Sequence, residues 1–277
     1  MHGVALPDAE TVPALGQGTW KMGEERARRR HEIAALRAGI ELGLTLIDTA
    51  EMYGSGGSEE MIARAIEGVR DHLFIVSKVY PHNSSRSGVV AACERSLARL
   101  HTDRIDLYLL HWRGSIPLAE TVEGFLRLQR DGKIRHHGVS NFDRADMAEW
   151  LALRGGETVA ADQVLYNLAH RGPEWDLVPW CREHQVAIMA YTPLGSGGML
   201  GNPALAGIAR RHGATPAQIA LACLLHREST IVIPKASRPE HVRENRAALD
   251  VQLTTEDLSA LDRAFPPPKG KSSLGML

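Results

Sequence analysis

A chain of 277 residues, 44% hydrophobic and 23% charged, has the length and composition of a globular protein with a substantial core. Its 32 Lys and Arg residues nearly balance its 33 Asp and Glu residues, so the sequence predicts neither nucleic-acid nor membrane binding. Cys93, Cys181 and Cys223 lie far apart, which disfavours a disulfide framework. No apolar run approaches the roughly 18 residues of a membrane span, and no signal-peptide pattern opens the chain. We therefore expect a cytoplasmic monomer with one domain over residues 1–277.

Eight short apolar segments alternate with helical patterns along the chain. They are Val12–Leu15, Leu44–Thr49, Leu73–Lys78, Ile105–His111, Arg135–Ser140, Ala161–Tyr166, Ala187–Thr192 and Thr230–Lys235. Several are almost continuously apolar, which is typical of parallel strands buried on both faces. This alternation predicts an α/β fold, a single (β/α)8 TIM barrel, with an open doubly wound sheet as the structural alternative.

Three helix starts can be placed from capping residues. Ser58 precedes two glutamates and an apolar stripe, Ser237 lies close before a proline, and Thr254 precedes a second threonine and a glutamate. A further helix carries Cys93 on its apolar stripe. We therefore expect Cys93 to be a core residue.

Polar side chains mark the ends of the predicted strands, where a barrel of this kind has its active site. Asp48 ends the second strand and is followed by Tyr53, Lys78 ends the third strand, and His111 ends the fourth. Taken singly, the aspartate could cap a loop, the lysine could be solvated and the histidine could be a core imidazole. Together they supply what carbonyl reduction needs. A tyrosine hydroxyl donates a proton, an ammonium held by an aspartate lowers the pKa of that hydroxyl, and an imidazole N–H stabilises the developing alkoxide.

Motifs for other chemistries are absent or incomplete. Gly16-x-Gly18-x-x-Lys21 lacks the third glycine of the dinucleotide-binding fingerprint, and Asp48 lies too far along the chain to be its ribose acid. There is no P-loop, no paired cysteine, and no His-x-His or His-Glu-x-x-His pattern, so no catalytic metal is predicted. No tyrosine is followed by a lysine four residues later, which disfavours a short-chain dehydrogenase.

The chain resembles the aldo-keto reductase family over nearly its whole length. The segments that carry the resemblance are Gly16–Trp20 (GQGTW), Leu46–Tyr53 (LIDTAEMY), Val76–Val79 (VSKV), Asp106–Trp112 (DLYLLHW), Gly138–Phe142 (GVSNF) and Ile233–Lys235 (IPK). Within the family it is most similar to bacterial members that reduce methylglyoxal and other small aldehydes. The resemblance implies NADPH-dependent reduction of small aldehydes or ketones, with Asp48, Tyr53, Lys78 and His111 as the catalytic residues.

The resemblance also implies where the cofactor and the substrate bind. The implied cofactor-binding residues are Gly18, Thr19, Trp20, Asp48, Ser140, Asn141, Gln163, Tyr191, Thr192, Pro193, Leu194, Gly195, Ser196, Lys235, Ala236, Ser237, Arg238, His241, Glu244 and Asn245. Trp20, Tyr53, His111 and Trp112 would form the substrate pocket. The chain departs from the family at the adenosine 2′-phosphate, where Ala236 stands for a serine and His241 for an arginine. We therefore expect NADPH to be preferred, with NADH as a weaker substitute.

Two other functions are compatible with the same fold. One is a non-catalytic regulatory subunit that senses nicotinamide, and the other is a sugar or alcohol dehydrogenase working in the oxidative direction. The short tail after Phe265 predicts an open site with loose specificity, because longer tails close over the pocket in larger relatives.

Overall fold

The computed structural model describes residues 3–195 and 198–277. The strands in these ranges are β1 (Gly3–Ala5), β2 (Thr11–Pro13), β3 (Gln17–Gly18), β4 (Leu46–Asp48), β5 (Phe74–Val79), β6 (Ile105–Leu110), β7 (Ile134–Ser140), β8 (Ala161–Leu165), β9 (Ala187–Tyr191) and β10 (Thr230–Val232). The helices are α1 (Arg29–Glu41), α2 (Gly57–Ala65), α3 (Arg86–Leu100), α4 (Leu118–Arg130), α5 (Arg144–Leu151), α6 (Leu177–Glu183), α7 (Pro203–His212), α8 (Pro216–Leu225), α9 (Pro239–Ala247) and α10 (Thr255–Ala264). None of these helices is both long and apolar enough to cross a membrane.

Strands β3 to β10 form one parallel sheet in which each strand pairs with the next in chain order. Isolated parallel bridges join Leu15 to Val232 and Gly18 to Lys235, which brings the first strand beside the last. The sheet therefore closes on itself as a barrel. The predicted (β/α)8 barrel is confirmed, and the open doubly wound alternative is wrong.

The first predicted strand, Val12–Leu15, is misplaced. β2 covers only part of it and pairs antiparallel with β1 in an N-terminal hairpin, while the first barrel strand is β3. The hairpin residues Val4 and Val12 are buried in the same apolar cluster as the barrel interior. Because the hairpin buries one face against the barrel, its apolar pattern resembles that of a barrel strand.

The capping predictions have mixed outcomes. Thr254 caps α10 in a capping box with Asp257, as predicted. Ser58 is not an N-cap, because α2 begins one residue earlier, and its hydroxyl donates to Thr19 Oγ1 at 2.8 Å. Ser237 is not a cap either, since Arg238 occupies that position before α9. Cys93 is fully buried, as expected for a core residue.

The barrel interior explains why polar groups collect at one end. Alternate side chains of each strand point inward, so one face can be followed along the strand. Leu46 lies in the interior cluster on β4, Phe74 and Val76 on β5, and Leu107 and Leu109 on β6. The next inward positions, at the carboxyl ends of these strands, are therefore 48, 78 and 111.

Candidate active site

A cavity of about 410 Å³ opens at the carboxyl ends of the barrel strands. Its lining consists of Gly18, Trp20, Lys21, Asp48, Met52, Tyr53, His111, Trp112, Ser140, Asn141, Gln163, Tyr191, Thr192, Pro193, Leu194, Gly195, Ile233, Pro234, Lys235, Met276 and Leu277. Asp48, Tyr53 and His111 thus face one space, together with most of the residues that the resemblance implies for cofactor and substrate. Lys78 lies directly behind this lining.

Lys78 and Asp48 form a fully buried ion pair on neighbouring strands. The ammonium donates to both carboxylate oxygens of Asp48, at 2.8 and 2.9 Å, and to the carbonyl oxygen of Thr49 at 2.8 Å. Burial lowers the pKa of Lys78, and Asp48 opposes that effect. Gln163 Nε2 donates to the same carboxylate at 2.7 Å. The aspartate is therefore held from two sides, and the lysine is fixed in place.

Tyr53 lies above this pair in a short 3-10 segment, Tyr53–Gly56, between β4 and α2. Its hydroxyl oxygen accepts a hydrogen bond from Lys78 Nζ at 3.2 Å. Gly56 ends the turn at φ 92°, and a Cβ there would meet the Cδ of Arg99 at 2.6 Å. Glycine at this position therefore allows the turn that places the tyrosine over the lysine.

The predicted lowering of the Tyr53 pKa is wrong. Burial and the charge of Asp48 raise the pKa of Tyr53 well above its ordinary value. The hydroxyl therefore keeps its proton at neutral pH. Since its oxygen accepts from Lys78, that proton is available for the cavity.

His111 lies beside Tyr53, with ring centroids 5.9 Å apart and the rings nearly perpendicular. Burial and the charge of Lys78 lower the pKa of His111 to about 2, so the ring is neutral at physiological pH. Its Nδ1 atom is buried without a hydrogen-bond partner among the described residues. A neutral imidazole carries one N–H, and a carbonyl oxygen in the cavity could accept it.

Side chains from three further strands form a polar wall on the other side of the cavity. Ser140 Oγ donates to the carbonyl oxygen of Gln163 at 2.8 Å, and Asn141 Nδ2 donates to that of His111 at 3.1 Å. The Tyr191 hydroxyl donates to Asn141 Oδ1 at 2.9 Å. Asn141 has φ 59°, in the left-handed region that asparagine tolerates. This wall combines amide groups with one flat aromatic ring.

The residues implied for the adenosine end lie on and before α9, and only Lys235 among them lines the central cavity. Lys235 is exposed at the cavity edge, and Arg238 begins the helix. Arg238 Nη2 contacts His241 Nε2 at 2.8 Å. Glu244 accepts from Thr215 Oγ1 at 2.7 Å. The other implied residues of this end, Ala236, Ser237 and Asn245, belong to the same segment.

Two further residues, Thr19 and Ser196, are implied for the cofactor. Thr19 is fully buried, and its hydroxyl donates to the carbonyl oxygen of Asp48 at 2.8 Å. Its side chain therefore contacts β4, the strand that carries Asp48, and does not line the cavity. Ser196 lies outside the described residues. The neighbouring loop residues Thr192 to Gly195 do line the cavity.

Aromatic and apolar side chains form the outer rim. Trp20 is 41% exposed, and Trp112 packs against His111 with ring centroids 5.0 Å apart. Several lining residues were not predicted from the sequence: Lys21, Met52, Ile233, Pro234, Met276 and Leu277. Met52 directly precedes Tyr53 in the sequence, and Ile233 and Pro234 directly precede Lys235. Their position beside predicted site residues could have indicated that they line the cavity.

The tail differs from the sequence prediction. A short tail was expected to leave the site open, but Met276 and Leu277 line the cavity. Burial raises the pKa of Tyr191 to about 12, and the nearby Leu277 backbone partly opposes that effect. The tail is short, yet it reaches the site because it returns across the barrel mouth after α10. No local sequence pattern could have indicated this path.

The groups around the cavity suit a nicotinamide dinucleotide. The Asn141 and Gln163 amides and the Ser140 hydroxyl can bind a carboxamide, and the Tyr191 ring offers a face for stacking. Lys235 and Arg238 provide positive charge where phosphates would lie. The described residues therefore fit this cofactor along one continuous edge.

Comparisons with known proteins agree with this geometry. The profile of the Aldo/keto reductase family matches residues 14–265. Methylglyoxal reductase YeaE of Escherichia coli K12 is 50% identical over 272 residues, covering 96% of each chain. Methylglyoxal reductase DkgB of Escherichia coli O157:H7 is 32% identical over 254 residues, covering 90% of this chain and 92% of its own. A crystal structure of an aldo/keto reductase from Klebsiella pneumoniae, in complex with NADP and acetate, is 49% identical, covers 99% of both chains, and superimposes with a TM-score of 0.97.

Proposed function

The chain belongs to the aldo/keto reductase family, and we propose that it reduces small aldehydes or ketones, such as methylglyoxal, to alcohols with NADPH. The observation that carries this proposal is the Tyr53 hydroxyl, which accepts from the buried Lys78 ammonium and faces the cavity. A proton donor of this kind is what a carbonyl oxygen needs as it becomes an alkoxide.

The chain's own residues would hold the cofactor across the barrel mouth. Ser140, Asn141 and Gln163 would bind the carboxamide, and Tyr191 would stack on the nicotinamide ring. Lys235, with the other implied residues of the α9 segment, would bind the adenosine phosphate end. When bound, the reduced nicotinamide supplies a hydride to the carbonyl carbon.

The catalytic residues act on the carbonyl oxygen. His111, neutral because of its burial, would donate its N–H to that oxygen and orient it toward Tyr53. Tyr53 would give up its proton as negative charge develops there. Lys78 would stabilise the phenolate that remains, while Asp48 fixes the lysine. The high pKa of Tyr53 suits this role, because its proton would stay in place until an alkoxide is forming.

The proposed substrate class follows from the rim and from the relatives. The substrate side of the cavity is bounded by Trp20, Trp112 and Met52, which favour small, partly apolar carbonyl compounds. Two relatives are methylglyoxal reductases. Met276 and Leu277 narrow the same opening, which favours short substrates over long ones.

The test is turnover by the purified protein on a panel of small carbonyl compounds with methylglyoxal among them. NADPH and NADH are supplied in separate reactions, and the matching alcohols are assayed with NADP⁺. We expect reduction with NADPH to be the faster direction near neutral pH. Tight NADPH binding without turnover of any carbonyl would contradict the proposal and favour a nicotinamide-sensing subunit. Efficient turnover of alcohols alone would favour a dehydrogenase.

A further inference from the structure

A second buried carboxylate, Glu59, lies behind the Asp48–Lys78 pair in the first turn of α2. Its side chain is fully buried. One oxygen accepts from Ser77 Oγ at 2.7 Å, and the other accepts from Arg99 Nε at 2.7 Å. Ser77 directly precedes Lys78 on β5. The carboxylate therefore connects the strand that carries the lysine to a guanidinium at the edge of the helix layer.

Ser58, the residue before Glu59, is connected by hydrogen bonds to the strand that carries Asp48. Ser58 Oγ donates to Thr19 Oγ1 at 2.8 Å, and Thr19 in turn donates to the carbonyl oxygen of Asp48 at 2.8 Å. Ser58 also accepts from Thr49 Oγ1 at 3.1 Å. Two successive residues of α2 thus reach both strands of the ion pair. The same helix follows directly from the turn that carries Tyr53.

We propose that Glu59 is a positioning residue for the reduction, which holds Lys78 in register beneath Tyr53 and supplies a second negative charge to the site. This proposal rests on the proposed function and deepens it. None of the proposed catalytic steps uses Glu59, and its burial isolates it from substrate and cofactor.

Packing alone does not account for a carboxylate at this position, because replacing a buried ion pair by apolar side chains of similar volume is often neutral or stabilising. Burying a carboxylate costs free energy unless the group is paired with a positive charge. The partner of Glu59 is Arg99, whose side chain is 23% exposed. The charge of Glu59 also acts on Lys78, whose ammonium it stabilises against the effect of burial. The titratable or charged groups that face Glu59 are Arg99 and Cys93 from α3, Lys78 from β5 and Tyr108 from β6.

This arrangement predicts a pH effect of known sign. Removal of a negative charge lowers the pH at which nearby groups lose a proton. Tyr53 and Lys78 interact closely, so they titrate as a pair with shared apparent pKa values. Loss of the Glu59 charge should therefore move the alkaline limb of the kcat/KM profile to lower pH.

The test compares Glu59→Gln with the wild type from about pH 6 to about 10.5. This range includes the first proton loss of the Tyr53–Lys78 pair, because burial lowers the pKa of Lys78 from its ordinary value. We expect the alkaline limb to move to lower pH by less than about one pH unit, because Glu59 acts on Lys78 more weakly than Asp48 does. We also expect kcat to fall while NADPH affinity, measured by fluorescence, is unchanged. Glu60→Gln is the matched control, because Glu60 is the next residue and its side chain is 54% exposed. It should leave both the profile and kcat unchanged.

Two further variants separate charge from geometry. Glu59→Asp keeps the charge, so the limb should return to its wild-type position. Its kcat should stay reduced, because the shorter side chain cannot reach both Ser77 and Arg99. Ser77→Ala keeps the charge and removes one contact, so kcat should fall with the limb in place.

A folded Glu59→Gln protein with a wild-type pH profile and kcat would overturn the proposal. If that variant does not fold, as judged by circular dichroism, Ser77→Ala decides, and a wild-type kcat there would overturn it. A wild-type protein that turns over no carbonyl with NADPH would instead refute the proposed function itself.

Discussion

Replacement of Tyr53 by phenylalanine removes the proposed proton donor and little else. The ring keeps its edge contact with His111, at 5.9 Å between centroids, and its position 4.8 Å from the Lys78 ammonium. The change loses one hydrogen bond, in which Lys78 donates to the hydroxyl at 3.2 Å. A hydrogen bond to a charged group contributes about 1.5–3 kcal/mol, and the loss is partly offset because a buried hydroxyl no longer has to be desolvated. We therefore expect the variant to fold and to bind NADPH.

The effect on turnover should be much larger than the effect on stability. Loss of a general acid typically costs about 10² to 10⁴ in rate. At about 1.4 kcal/mol for each factor of ten, this corresponds to roughly 3–5 kcal/mol of transition-state free energy. The assay follows NADPH absorbance with methylglyoxal and with several other small carbonyl compounds at saturating cofactor.

Tyr80→Phe is the matched control for this variant. Tyr80 packs edge-on against Trp112 at 5.7 Å, near the same rim, but it is not among the residues that line the cavity. It should retain nearly full turnover. A Tyr53→Phe protein with wild-type kcat on every substrate would refute the proton-donor assignment, whatever its effect on KM.

Substitutions at three other positions test the electrostatics. Burial lowers the pKa of His137 to about 4, below the roughly 6.5 of an unfolded histidine. Between these two pH values the unfolded chain binds more protons than the folded one, so stability falls as the pH drops from about 6.5 to about 4. The free energy of unfolding is measured in urea at several pH values. His137→Gln should reduce the slope of this free energy against pH by up to about 1.4 kcal/mol per pH unit, and an unchanged slope would contradict a lowered pKa for His137. Burial raises the pKa of Asp162 well above the roughly 3.9 of an unfolded aspartate, so stability falls as the pH rises above that value. Asp162→Asn should therefore gain stability over the wild type between pH 4 and 7, and a constant difference would contradict this reasoning. His241→Arg adds a permanent charge beside Arg238 and should raise the NADPH-to-NADH ratio of kcat/KM several-fold, whereas His241→Gln should not; equal ratios would remove this position from the cofactor site.

The barrel could be predicted from sequence because its buried parallel strands are short, almost continuously apolar segments that alternate with helical patterns. The end that holds the candidate site could be predicted because polar residues follow those segments. Each buried strand places apolar groups at alternate positions, and the same inward face ends in a polar residue, as Phe74 and Val76 do before Lys78. Parallel strands bring those ends to one edge, so distant residues such as Asp48 and His111 could be expected together. The motif spacing then adds Tyr53, which lies on a loop that periodicity alone cannot place.

The errors arise where the structure depends on tertiary contacts. The β1–β2 hairpin has a strand-like pattern because it buries one face against the barrel. Ser58 resembles a cap, although its hydroxyl donates to Thr19. The pKa of Tyr53 depends on how deeply the hydroxyl is buried, which no local pattern reveals. The tail reaches the cavity by a path through space, so the roles of Met276 and Leu277 have no signature in the neighbouring sequence.

The closure of the barrel has a consequence for its internal motions. β3 and β10, the strands that meet there, are the shortest in the barrel along with β4, with two and three residues. The amides of Gly16 and Gly18 donate across the junction to the carbonyl oxygens of Val232 and Pro234, at 2.9 and 3.0 Å, and the amide of Val232 donates to the carbonyl oxygen of Ala14 at 2.7 Å. So few hydrogen bonds make this junction a favourable place for the sheet to open locally and exchange its amide hydrogens. Gly18 and Lys235 also border the cavity, so a bound dinucleotide would lie over the junction and slow that exchange. The cofactor would therefore stabilise the closed barrel that binds it.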